Sequence, residues 1–406
     1  KGGRPSHRFP LFGISPGEIA VYLTFFALSF GVSISFLLSA RTSPGEDDGM
    51  STLGYPVANP ASCGTDEEVV LNVFKWAVSK GVYVHSNLST GLFPVPGDTS
   101  GATVRGIRAK GSIRKNDVLF RVPEGLLINI GTVRSDPFWR DKYRDVNSMQ
   151  DGVGGLAMWM LREAMNETSD WRPYMCSLPR HVALPILYTQ RKLGRVRGEL
   201  PEAQRPMLVP MLQAQRDAFE VKFLSLVPAL VRRYPGDFSA RDYTFERYVW
   251  AASMIMSRSW GRDVTITEAN ATHNRTNRTV HTLAPAADMP NHSDEGLQAA
   301  KTKDGSLVLR AWRRLEEGEQ VEISYGQKCD AEVLSTYGFI PFNNSHVPCK
   351  ASSQPPSEEK MKNMTTWRRK WRGHFAAVIR GLEKKADEER NSMNTTTRKA
   401  PPLLSV

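Results

Sequence analysis

The chain has 406 residues, 40% of them hydrophobic and 23% charged, and a net charge of +11. This composition excludes a wholly disordered or collagen-like chain and supplies enough apolar material for one large domain or two ordinary ones. The basic balance permits a nucleic acid, an anionic membrane or an acidic protein as partner and selects none of them.

In chain order, the first feature is a run without charge from Ile19 to Ala40, long enough to cross a bilayer as one helix. Lys1, Arg4 and Arg8 precede it, and Arg41, Glu46, Asp47 and Asp48 follow. These flanks favour a cytosolic N-terminus and a lumenal remainder. The reading is a single-pass anchor in an organelle or endomembrane, with a removable targeting segment as the alternative. Residues 41–65, rich in Pro, Gly, Ser and acid, read as a linker.

Glu67 to Ser79 carry apolar residues at helical spacing and end before Gly81. "GVYVHSNL", "ATVRGIRA", "DVLFRVP" and "LLINI" follow as strand-like runs punctuated by Gly and Asp. "GLAMWMLREAM" (155–165) reads as an amphipathic helix whose stripe of Leu156, Trp159 and Met160 belongs to a core. "SDWRPYMCSLP" is an aromatic connector. Long helical patterns occupy 199–260, and Pro228 is expected to kink or split the first of them. A polar, Asn- and Thr-rich stretch over 263–280 reads as a loop. "LAPAADMPNH", "LQAAKT", "SLVLRAW" and "QVEISYG" restore strand character, and "AEVLSTYGF" adds a helical turn. The order is therefore β, a helical insert, then β. After Pro348 comes a basic helical candidate with Trp367 and Trp371 four residues apart. A solvated helix with one packed aromatic edge is the expectation, with a membrane or RNA contact as the alternative.

Cys63, Cys176, Cys329 and Cys349 form no C-x-x-C pair, so no structural zinc site is expected. They are too few and scattered for a disulfide framework and read mainly as reduced thiols, with a Cys329–Cys349 bridge as the alternative. Asn291 and His292 in "ADMPNHSDEG" admit three readings: glycan acceptor, metal site or cofactor pocket. Asp288 and His292 lack further ligands in sequence, so no metal is assigned. Sequons also begin at Asn87, Asn166, Asn270, Asn274, Asn277, Asn343, Asn363 and Asn394. Such density suits a lumenal protein, yet a glycan on Asn291 would block a pocket there.

Several segments from Val69 to Asn344 decide among these readings. They are "RGIRAKGSIRKNDVLFRVP", "DWRPYMCSLP", "YVWAASMIMSRSW", "LAPAADMPNHS" and "LEEGEQVEISYGQKCDAEVLSTYGF". In this order and spacing they resemble the SET-domain methyltransferases, in the split-SET group typified by the Rubisco large-subunit lysine methyltransferase. The resemblance implies an α+β fold of small β-sheets with a threaded C-terminal segment and an all-helical insert at about 190–260, following the N-terminal hydrophobic helix. It implies domains at 1–40 (anchor or targeting helix), 41–65 (linker), 66–346 (SET) and 347–406 (basic tail, partly disordered).

The resemblance also implies S-adenosyl-L-methionine as cofactor. The matching positions are Arg258 for its carboxylate, Asn291 and His292 for the methionine and adenine portions, Tyr337 and Phe339 as walls, and the backbone of Gly106, Ile107 and Ala109. Tyr325 matches the tyrosine beside the transferring methyl, in a site that works by positioning. The implied activity is methylation of a protein lysine, with a protein histidine or a non-catalytic peptide-binding scaffold as alternatives. The implied partners are a protein substrate and, through the N-terminal helix, a membrane; nucleic acid is not expected, and the chain is expected to be a monomer. Three positions depart from the family pattern: Val104 where a first glycine is common, Trp260 where Phe is usual, and Asp330 where Asn is common. The family's large helical C-terminal domain has no counterpart beyond the basic tail.

Overall fold

A computed structural model describes residues 55–95, 101–145, 152–180, 184–234, 236–239, 241–267, 275–297, 299–341, 344 and 348–349. The Ile19–Ala40 segment and the tail bearing Trp367 and Trp371 lie outside these residues. Among the described residues no helix is long and apolar enough to cross a membrane. The chain divides into two compact units. One comprises 47–226 and 243–355 and carries the elements that build the site. The described part of the other lies within 227–242 and is the end of one long helix and the turn after it.

Helix α1 (Asp66–Ser79) starts where Thr65 and Glu68 form a reciprocal capping box, which satisfies two otherwise unpaired N–H groups. Val69, Val70, Val73, Phe74 and Ala77 form its buried stripe. Strands β1 (Tyr83–Val84), β2 (Leu88–Pro94), β3 (Thr103–Ala109) and β4 (Val118–Val122) follow. "LLINI" is not a strand. It contributes one bridge, Ile128 to Leu283, before Asn129 caps the short helix α2 (Ile130–Ser135) through Gly131 N–H. A capping asparagine outweighs the β propensity of the isoleucines around it.

Helices α3 (Pro137–Asp145), α4 (Gly152–Met165) and α5 (Arg172–Ser177) come next. Leu156, Trp159 and Met160 are buried in α4, as their spacing predicted. The insert comprises α6 (Gln190–Glu199), α7 (Arg205–Arg233) and α8 (Phe245–Arg258). The split expected at Pro228 does not occur: α7 runs through it as one helix. Proline removes a single N–H, and a helix of 29 residues keeps the other bonds of its ladder.

The stretch read as a loop over 263–280 is a hairpin, β5 (Trp260–Thr267) against β6 (Arg275–Thr282). Its polarity suggested a loop, but Val264, Thr265, Ile266, Thr276 and Thr279 are β-branched and favour extended backbone. The remaining elements are β7 (Asn291–His292), β8 (Ala300–Lys301), β9 (Leu307–Arg310), β10 (Gln320–Ile323) and α9 (Asp330–Tyr337).

Two four-stranded sheets result, ordered β1-β4-β9-β8 and β2-β3-β10-β7. In the second, β10 runs antiparallel to β3 and parallel to β7, with Glu322 opposite Asn291 and Ile323 opposite His292. Just beyond, Ser293 N–H donates to Ile323 O and Ser324 N–H to Leu297 O. A Cβ on Gly296 would stand 2.5 Å from the Ile323 carbonyl carbon, so only glycine fits this close crossing, which lies where the threaded segment is expected.

The cysteines correct the reading of reduced thiols. Two disulfides join Cys63 to Cys176 and Cys329 to Cys349. The first partners lie 113 residues apart, and nothing in their spacing announced the pair. Residues 55–65, part of the stretch read as linker, are held to the domain by this bridge. They are also held by Ala58 N–H donating to Ala164 O and by Arg172 donating to Ala58 O and Ser62 Oγ.

Candidate active site

The end of α8, the turn before β7 and the segment after β10 meet around one cavity of about 280 Å³. Its lining includes Arg258, Trp260, Asp288, Tyr325, Lys328 and Tyr337. Of the residues singled out from the sequence, Arg258, Tyr325 and Tyr337 therefore face a common space.

Arg258 sits in the last turn of α8, where a cation complements the carbonyl end of the helix. One Nη donates to Asp288 O at 2.9 Å, and its other N–H groups have no partner among the described residues. Tyr325 lies two residues beyond the end of β10. Its hydroxyl donates to Pro290 O at 3.0 Å and its N–H donates to His292 Nδ1 at 3.2 Å. The second bond fixes the imidazole tautomer: Nδ1 accepts, so a neutral His292 carries its proton on Nε2, which lies 3.0 Å from Asp294 Oδ1. The His292 and Tyr325 rings stack at 5.0 Å, and the Tyr325 and Tyr337 centroids are 4.8 Å apart.

Asn291, His292 and Phe339 do not line the cavity; they build the wall behind Tyr325 and Tyr337. Phe339 lies 6.1 Å from His292 and 6.3 Å from Tyr337. Asn291 Nδ2 donates to Arg105 O at 3.1 Å and so ties β7 to β3. A Cβ on Gly106 would lie 2.8 Å from that same Nδ2 and 3.0 Å from the Phe93 ring, which explains the glycine. Ile107 is a core side chain in the middle of the ladder. Ala109 is not brought to the cavity: its N–H donates to Glu319 O and its carbonyl accepts from Gly318 N–H.

Burial sets the electrostatics. It raises the Tyr325 phenol well above its ordinary value, with Arg258 opposing. Tyr337 is pushed up to about 12 for the same reason. Burial lowers His292, with Asp294 opposing. Both phenols and the imidazole are thus neutral at pH 7.

Sequence reading missed one buried polar group. Asp288 is 6% exposed; Tyr174 donates to its Oδ2 at 2.7 Å, and its Oδ1 has no partner among the described residues. Burial raises this carboxyl, opposed by Arg258, the Tyr174 hydrogen bond and Arg105. The pairing spans 114 residues, and only the presence of Tyr174 and Asp288 in two of the quoted motifs hinted at it.

The departures from the family pattern have local explanations. Asp330 is 2% exposed and accepts from Asn344 Nδ2 at 2.9 Å, so its acceptor capacity is used inside the protein. Trp260 lines the cavity, and Val104 is on the exposed part of β3.

Residues 104–326 match the family model of the SET domain. The chain is 24% identical over 257 residues to ribosomal lysine N-methyltransferase 4 of Saccharomyces cerevisiae, covering 59% of this chain and 50% of that protein. It is 25% identical over 310 residues to the chloroplastic [fructose-bisphosphate aldolase]-lysine N-methyltransferase of Arabidopsis thaliana, covering 71% and 55%. The chain thus spans about half the length of these curated relatives. Among solved structures, the SET domain of LSMT bound to lysine and AdoHcy superposes with a TM-score of 0.50 at 24% identity, covering 68% of this chain and 58% of that one. That likeness concerns the fold. The family match extends over more than half of the chain and contains the strands that bring Asn291 to Arg105 and Tyr325 to His292; this chain belongs to the SET-domain family.

Proposed function

We propose that this chain is an S-adenosylmethionine-dependent protein-lysine N-methyltransferase, held to a membrane by Ile19–Ala40. The observation that carries the reading is the convergence of Arg258, Tyr325 and Tyr337 on one cavity, backed by the Asn291–His292 wall. Membership of the SET family and the lysine methyltransferase names of its relatives support it.

The residues present suit the cofactor. Arg258 has N–H groups left over for a carboxylate. When bound, S-adenosylmethionine supplies an electrophilic methyl on a sulfonium. The protein's task is then orientation, because an in-line displacement gains most from a held, aligned acceptor. The rings of Tyr325, Tyr337 and Trp260 offer an apolar wall for the aliphatic stem of a lysine. The Tyr325 hydroxyl has committed its proton to Pro290 O, so its lone pairs are left to accept from an N–H. With its phenol raised by burial, Tyr325 positions the amine and does not deprotonate it. The amine enters neutral, its proton having passed to water, and the same desolvation favours that form.

The test combines calorimetry with turnover. The wild-type chain is expected to bind S-adenosylmethionine and to methylate lysine in a protein acceptor. Tyr325→Phe is expected to bind the cofactor unchanged and to lose turnover by about 10²–10³-fold. Fragment mass spectra of the product separate lysine from histidine. A wild-type chain that binds no cofactor, or a Tyr325→Phe variant with full turnover, overturns the reading in favour of a peptide-binding scaffold.

A further inference from the structure

We propose that Asn166 is an N-glycan acceptor and that the SET domain matures in an oxidising lumen. The proposal does not depend on the methyl-transfer reading. It rests on three independent observations.

The first is the frequency of sequons. Nine of the sixteen asparagines begin N-x-S or N-x-T. Ser and Thr together fill about one position in seven, so about two such coincidences are expected by chance. The second is the pair of disulfides, which persist in oxidising compartments and are rare where glutathione keeps thiols reduced.

The third is geometry. Three sequons have described asparagine side chains, and their amides differ. Asn291 Nδ2 donates to Arg105 O against Gly106, so a glycan there is incompatible with the folded site. Asn87 Nδ2 donates to Ser112 O, and its amide packs on Gly111. Asn166 stands in the turn after α4, followed by exposed Glu167 and Thr168. Its Oδ1 accepts from Thr168 N–H at 3.1 Å and from Thr168 Oγ at 2.8 Å, and its Nδ2 has no partner among the described residues. A substituent on Nδ2 at this half-buried sequon breaks no hydrogen bond among the described residues, unlike at Asn87 and Asn291.

The donor is a lipid-diphosphate-linked oligosaccharide of the same compartment. The bond formed joins Asn166 Nδ2 to the anomeric carbon. The bond broken runs from that carbon to the diphosphate oxygen, which leaves with the electron pair, and the amide proton passes to a base of the transferase. Each disulfide forms as two thiols give two electrons and two protons to a disulfide-bearing oxidant.

One tryptic digest reads both parts. The bond after Arg172 precedes Pro173 and resists trypsin, so residues 163–180 are released as one peptide carrying Asn166 and Cys176. The full chain, expressed in a eukaryotic secretory cell and alkylated before lysis, is digested without reductant. The expected product is peptide 163–180 joined through Cys176 to peptide 42–75, and glycosidase in heavy-oxygen water converts Asn166 into labelled aspartate. Asn166→Gln is expected to remove one glycan increment from the intact mass, and Asn291 is expected to remain unmodified in the folded pool. Unmodified Asn166 with alkylated Cys63 and Cys176 overturns the lumenal assignment. A second arm forces entry with an added secretory signal. If the chain then folds with both bridges and Asn166 is still bare, the acceptor assignment falls.

Discussion

The helical layer and the wall of the site are built on opposite terms. In α4, ten of fourteen residues are buried, and Trp159 packs edge-on to Trp171 at 5.5 Å. In α8, Tyr248 and Trp250 are 0% and 2% exposed. This layer gains its stability from apolar area and side-chain packing. Around the cavity the buried Asp288 and Tyr174 and the half-buried Arg105, His292 and Tyr325 are each held by one or two directed hydrogen bonds. Such groups contribute little net stability when satisfied and cost much when orphaned. Stability and chemistry therefore reside in different parts of one domain and should respond differently to substitution.

Trp159→Ala should break the comparison most visibly. It removes a large, fully buried side chain and is expected to cost about 3–5 kcal/mol in urea-induced unfolding, while the folded fraction keeps its ligand affinity. Tyr174→Phe is the counterpart on the polar side. It leaves the Asp288 carboxylate without its donor and is expected to cost about 1–3 kcal/mol, with a loss of cofactor affinity that Trp159→Ala does not show. Unfolding curves and calorimetry on both variants decide this.

Thr65→Ala removes one half of the α1 capping box and should cost about 1 kcal/mol without touching the site. The mildest effect is that of pH. His292 is lowered by burial, so its contribution to stability is present above its unfolded value of about 6.5 and is lost as pH falls through its lower folded value. Protonation also destroys the Nδ1 acceptor for Tyr325 N–H. Denaturation midpoints should drop on acidification in the wild type. The drop should be shallower in His292→Asn, which keeps an acceptor near that position and does not titrate.

The contrast also explains what the sequence could and could not show. Apolar periodicity named α1, α4 and their buried faces, because a helix in water must hide one side. It misread the β5–β6 hairpin, where Thr carries β propensity under a polar label. The motif residues Arg258, Asn291, His292, Tyr325 and Tyr337 were visible as a set, and the structure separates them into cavity lining and supporting wall. The partnerships that lay outside sequence reading were those between distant residues. Cys63 with Cys176 and Tyr174 with Asp288 are separated by more than a hundred positions, and no local pattern encodes them.

The place of β10 in its sheet has a consequence for synthesis. Among the described residues, the last strand to leave the ribosome is the one that fills the space between β3 and β7. A nascent chain shorter than about Tyr325 has both flanking strands and no centre, so the half-made domain exposes strand edges and cannot hold a ligand. Ligand capture thus reports translation past that point, and truncations just before it should yield aggregating chains instead of partly active ones.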